Sequence, residues 1–109
     1  MTPMVIEWLK FRVESDHREA FIQADDAIWT TALSTYPGFL GKAIWLAPDD
    51  PAALILIIQW ASRAQWKAIP EADLAVIEQR FDQAFEFDYD MIESKEFQVR
   101  RFATVPAQT

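Results

Sequence analysis

From Met4 to Val13 (MVIEWLKFRV) the chain is rich in β-branched and aromatic residues, which predicts a first strand. Val5, Glu7, Leu9, Phe11 and Val13 fall on one side of it, and Ile6, Trp8, Lys10 and Arg12 on the other. The period then lengthens. Phe21, Ala24, Ile28 and Ala32 recur at helical spacing, and Ile22, Trp29 and Leu33 widen the stripe. Arg18, Gln23, Asp26 and Thr30 make the polar side, so the spacing predicts a helix over 16–34. Asp16 stands in the capping place, with Glu19 three residues on in capping-box spacing. Pro37 and Gly38 stop the helix and turn the chain.

Residues 39–47 (FLGKAIWLA) predict a second strand, and Pro48-Asp49-Asp50-Pro51 a turn. Residues 53–61 (ALILIIQWA) are apolar on both sides, as a central strand is. The short gap makes these two strands an antiparallel hairpin. Ser62 is placed to cap a short helix reaching Ile69, and Pro70 suits the first turn of another over 71–85. Leu74, Ile77, Phe81 and Phe85 give that helix one apolar stripe. Residues 86–93 (EFDYDMIE) form an acidic and aromatic connector. Residues 95–105 predict a fourth strand, and 107–109 a loose tail.

The order β-α-β-β-α-β predicts an α+β, ferredoxin-like single domain over 1–109. Right-handed crossovers put strands one and three in the middle of a four-stranded antiparallel sheet. Lys42, Gln98, Arg100 and Arg101 then mark the two outer strands as edges. Helices can cover only one side of such a sheet. The other side carries Ile6, Trp8 and neighbours from strand three, a patch that a second copy can bury. A homodimer is therefore expected; the alternative is a monomer whose connector, 86–93, folds across that face.

Composition narrows the function. The chain has 109 residues, 51% of them hydrophobic, with five tryptophans, two tyrosines and eight phenylalanines, which excludes a disordered chain. Its formal net charge of −7 argues against nucleic acid and anionic membrane surfaces as partners. There is no cysteine to ligate zinc or an iron–sulfur cluster, and no histidine cluster for any other metal, so no cofactor is expected. Residues 1–13 do not read as a signal peptide, because Glu7, Lys10 and Arg12 break the apolar run; the expected address is cytoplasmic.

A first strand, a helix with an early Phe21, the turn Pro37-Gly38-Phe39, the Asp50-Pro51 turn, and Trp60-Ala61-Ser62 followed by Ala64 and Trp66 together resemble the antibiotic biosynthesis monooxygenase-like family of the dimeric α+β barrel superfamily. More narrowly, the chain is similar to small cyanobacterial proteins of this shape. The resemblance covers about residues 4–105. It implies a homodimer of two sheets closing a barrel, with a ligand pocket in each subunit between helices and sheet. It also implies cofactor-independent, monooxygenase-like chemistry on an aromatic or other apolar ligand. Catalytic members use an Asn on strand one, a Trp after strand three and a His on the next helix. Here Glu7 or Trp8 stands at the place of the Asn, Trp66 can match the Trp, and no His follows it.

Glu7 and Trp66 are accordingly the candidate catalytic residues. A carboxyl flanked by Val5, Leu9 and Phe11 is partly desolvated, which raises its pKa toward that of a general base. The alternative is an ion pair, for instance with Arg101. Trp29, Tyr36 and Arg80 are candidate ligand-binding residues: the aromatics as pocket walls, Arg80 for a carboxylate or phenolate. The alternative for the tryptophans is core and dimer interface, and for Arg80 a pair with a surface acid. His17, the one histidine, reads as a solvent-exposed helix residue, and Asp25-Asp26 and Asp49-Asp50 as solvated pairs. A non-catalytic ligand-binding or protein-interaction module on the same scaffold is the alternative to an enzyme.

Overall fold

The helix-facing side of the sheet is built by alternation, and the observed strands keep the expected alternation almost throughout. The computed structural model describes residues 2–101. Strand β1 (Val5–Val13) leads into a helical segment; β2 (Phe39–Ala47) and β3 (Asp50–Trp60) form a hairpin; helices α2 (Arg63–Lys67) and α3 (Glu71–Ala84) follow; β4 (Tyr89–Gln98) closes the sheet. The sheet order is β2-β3-β1-β4 with every neighbouring pair antiparallel, so β1 and β3 are central as expected. This is the ferredoxin-like α+β fold.

The first helical segment, here α1, spans residues 18–33 and changes pitch twice. An α-helical part (Arg18–Ala24) passes into a π-helical part (Asp25–Thr30) and back into a single α turn (Thr31–Leu33). The capping expectation at Asp16 is corrected. Asp16 lies in a 3-10 turn, Ser15–His17, with no side-chain cap at either junction. The backbone closes that turn itself: His17 N donates to the Glu14 carbonyl at 2.8 Å.

The fourth strand is also corrected. It begins at Tyr89, inside the presumed connector, and ends at Gln98; the rest of the expected strand beyond Arg101, and the tail, lie outside the described residues. Tyr89 and Met91 pair with Val13 and Phe11, but Glu93 pairs with Lys10, leaving Ile92 as an extra residue. That bulge breaks the period-two pattern and hides the strand. The connector therefore pairs at the sheet edge instead of crossing the open face. At the other edge Ala47 pairs with Asp50, so the hairpin turn shrinks to Pro48-Asp49.

Two groups of buried side chains join helices to sheet. Phe21, Phe81 and Phe85 meet Phe11 and Leu54 in one; Val5, Leu33, Ile58 and Trp60 form the other. Phe21 packs edge-on to Phe81 and Phe85 at 5.2 and 5.4 Å between ring centroids, the arrangement aromatic quadrupoles favour.

Gly38 positions the end of β3 and the start of α2. Its φ is +93°, and its carbonyl accepts from Ala61 N at 2.7 Å. A Cβ there would lie 2.6–2.8 Å from side-chain atoms of Gln65, one of them the Gln65 Cβ, which cannot swing away. Gly38→Ala is expected to cost roughly 1–3 kcal/mol of stability, measured by urea denaturation. An unchanged midpoint would show that the turn relaxes without strain.

Candidate functional site

One rung of the sheet sets the site. Lys42 on β2 pairs with Ile58 on β3, Ile58 with Glu7 on β1, and Glu7 with Glu96 on β4. Glu7, Ile58 and Lys42 all line a cleft of about 890 Å³ between helices and sheet. Strand spacing is about 4.8 Å, so Glu7 and Lys42 stand roughly 10 Å apart at their Cα atoms with the Ile58 side chain between them. Trp8, the other residue that can stand for the strand-one Asn, pairs with Ile57 and Lys95 on the opposite face.

Glu7 Oε1 accepts a hydrogen bond from Trp60 Nε1 at 3.3 Å. The ion pair with Arg101 is not formed: Arg101 is exposed beyond the end of β4, and among the described residues no cation pairs with Glu7. Arg63, on α2, instead grips the neighbouring Glu96 through Nε at 3.1 and 3.2 Å. Burial pushes the Glu7 carboxyl above the ordinary carboxylate range; the Trp60 bond and the charges of Lys42 and Lys67 only partly offset it.

Asp25 and Lys42 form a buried ion pair, and the reading of Asp25 as solvated is corrected. Lys42 Nζ lies 2.6 Å from Asp25 Oδ2, with the side chains 4% and 3% exposed. Among the described residues Oδ2 has no partner besides this ammonium. Burial raises the Asp25 carboxyl as well, with Lys42 opposing it. The signal for Asp25 was present in helical spacing. It lies four residues after Phe21 and four before Trp29, inside the apolar stripe, and its pair Lys42 shares a strand face with Ile44. π-helical turns recur at functional sites, and this one begins at Asp25.

The other candidates divide between two places. Trp66 and Trp29 line the same cleft as Glu7, joined by Trp60. Lys67 Nζ sits 4.0 Å from the centre of the Trp66 ring. The α2 turn that presents Trp66 is capped as expected, Ser62 Oγ accepting from Gln65 N at 3.1 Å. Tyr36 and Arg80 line a separate groove of about 370 Å³ with Asp73. There Tyr36 Oη donates to Asp73 Oδ2 at 2.7 Å, which holds the phenol proton and raises its pKa. Arg80 has no ion-pair partner among the described residues. His17 is not a free surface residue: its ring stacks on Phe87, a cleft-lining side chain, at 3.6 Å. Asp50 pairs with Arg12 at 3.3 Å on the surface, both side chains staying exposed to solvent as expected of it.

Among the described residues no cluster of His, Cys, Asp or Glu is arranged to hold a metal ion, and no helix is long and apolar enough to cross a membrane.

A family model described as antibiotic biosynthesis monooxygenase matches residues 4–73. No curated protein matches. Among solved structures, a protein from Chloroflexus aurantiacus proposed to be an antibiotic biosynthesis monooxygenase is 22% identical, with a TM-score of 0.65 over 94% of this chain and 99% of that one. A similarly described protein from Nitrosomonas europaea is 18% identical, with a TM-score of 0.65 over 92% and 93%. SnoaB from Streptomyces nogalater, a cofactor-independent oxygenase, is 16% identical in a mutant form, with a TM-score of 0.63 over 97% and 100%. At these identities the likeness is one of fold.

The raised Glu7 carboxyl has a stability signature. A group whose folded pKa lies above its unfolded one stabilises the fold below the unfolded pKa and loses that contribution as pH rises through the folded value. Glu7→Gln keeps an acceptor for Trp60 and removes the buried charge. Its melting temperature should exceed that of the wild type at neutral pH, and the gap should close as pH falls to about 4. A gap independent of pH in differential scanning calorimetry would place Glu7 in an ordinary, solvated environment.

Proposed function

The chain belongs to the antibiotic biosynthesis monooxygenase family, and on that premise we propose that its cleft binds a flat, largely apolar small molecule carrying one acidic hydroxyl. We propose further that it oxygenates this ligand without a cofactor. The observation that carries the reading is the Glu7 carboxyl, desolvated on the floor of a cleft of about 890 Å³ whose walls include Trp29, Trp60 and Trp66. Aromatic walls favour planar ligands, and a carboxylate of raised pKa is suited to take a proton near neutral pH. The family resemblance puts an Asn at this point of strand one; here Glu7 supplies a base instead.

The chemistry balances without a bound redox group. Glu7 takes a proton, leaving an electron-rich ligand anion. That anion reduces O2; one oxygen atom stays on a ring carbon and the other leaves as water with the hydrogens of one ring C–H and the O–H, the phenol becoming a quinone. Trp66 and Trp29 act as walls that orient the ring. Tyr36 and Arg80 are left out of this site, because they line the other groove.

We also infer that the chain acts as a homodimer. Supporting this, half-buried Ile6, Trp8 and Ile55 alternate onto the uncovered face of the sheet around buried Ile57, flanked by Trp45 and Phe97 at 55% and 49% exposure. Two such faces packed together remove a large apolar patch from water.

Isothermal titration with 1-naphthol tests the binding, and an oxygen electrode with dihydroxynaphthalenes tests the chemistry. Saturable binding to one site per chain is expected, together with oxygen uptake that Glu7→Gln lowers by about 100-fold or more. Binding with no uptake across such ligands would favour the non-catalytic module, and no binding at all would remove the cleft as a ligand site. Sedimentation velocity tests the dimer: twice the chain mass is expected for the wild type and a shift toward monomer for Trp45→Glu. A wild-type monomer would contradict it.

A further inference from the structure

The geometry points to Lys42 as the residue that holds the ligand's oxyanion in the cleft, with Asp25 as a positioning residue that fixes the ammonium in place. This inference rests on the small-molecule reading of the cleft and adds a second polar contact to it.

Three observations carry it. First, Lys42 is a buried cation that lines the cleft, although its strand lies at the sheet edge, where a lysine ordinarily points to water. Second, its rung places it across Ile58 from Glu7, so an oxygen seated over Ile58 has the base on one side and the ammonium on the other. Third, Asp25 uses only part of what the ammonium offers. The pair is close, at 2.6 Å, and among the described residues no other acid contacts this ammonium, which has three donors. The π-helical turn that begins at Asp25 brings this carboxylate from α1 down onto β2.

The step is a proton transfer. A phenolic O–H bond breaks, the proton passes to the Glu7 carboxylate, and the electron pair left on oxygen faces Lys42. No electron leaves the ligand in this step. A merely structural pair, pinning α1 to β2, would have no effect on the ionisation of a bound phenol.

4-Nitrophenol separates these roles, because its phenolate is coloured and its uncharged analogue 4-nitroanisole cannot ionise. The measurement is made about one unit below the pKa of the probe, where about nine-tenths of the free probe is neutral. Binding to the wild type is expected to raise the phenolate absorbance. In Lys42→Met the phenolate share per bound probe should fall about tenfold while 4-nitroanisole binds unchanged, and Lys42→Arg should restore it. Asp25→Asn, which leaves an acceptor for Lys42 but removes the competing charge, should raise the share above wild type. A share unaltered in Lys42→Met, or in Asp25→Asn if the methionine variant does not fold, overturns the role of Lys42. If neither probe binds the wild type, the ligand reading of the cleft falls, and this inference with it.

Discussion

Charged groups resist burial, and the antiparallel register here sets two of them on the helix-facing side of one sheet rung. Glu7 and Lys42 flank Ile58, each reached by a strand whose other inward residues are apolar. The surrounding architecture answers that cost. Trp60 turns its indole N–H to Glu7, and α1 changes pitch where it delivers Asp25 to Lys42. Breaking a buried pair by removing one partner is costly, whereas replacing both by apolar groups is often neutral. Lys42 cannot be exchanged for an apolar residue alone, because Asp25 would then be left buried without its cation.

The two faces of the sheet do different work. On the helix side, the aromatic cluster around Phe21 closes one end of the layer and leaves a cleft beside it, walled by Trp29 and Trp66. On the other side, half-buried Trp8 and Ile55 continue an apolar surface that also carries exposed Trp45. The same alternation that points Glu7 into the cleft points Trp8 away from it. Register thus couples the site to the proposed dimer face, because a slip of one residue would exchange the two.

Much of this was legible in the sequence. The bounds of β2, the central places of β1 and β3, the Ser62 cap and the inward side of β1 all follow from period and turn chemistry. The failures have local causes. Asp25 shares the stripe of Phe21 and Trp29, but a carboxylate in an apolar stripe is recognisable as buried only once its cation is known, and Lys42 comes from a strand 17 residues on, by the numbering. Strand β4 was obscured by the extra residue Ile92 and by acidic side chains that an edge strand can turn to water. Tyr36 and Arg80 were grouped with Trp29 by their places near a helix end and beside an apolar stripe, while they line a groove with Ile77, apart from the cleft of Trp29 and Leu74.

The most direct test of the account is a crystal structure of the protein with 1-naphthol bound. The account predicts the naphthol ring between Trp29 and Trp66, with its oxygen above Ile58 and within hydrogen-bond reach of both the Glu7 carboxyl and the Lys42 ammonium. A naphthol bound only on the open sheet face or in the groove of Tyr36 and Arg80, with the cleft closed over Glu7, would contradict it.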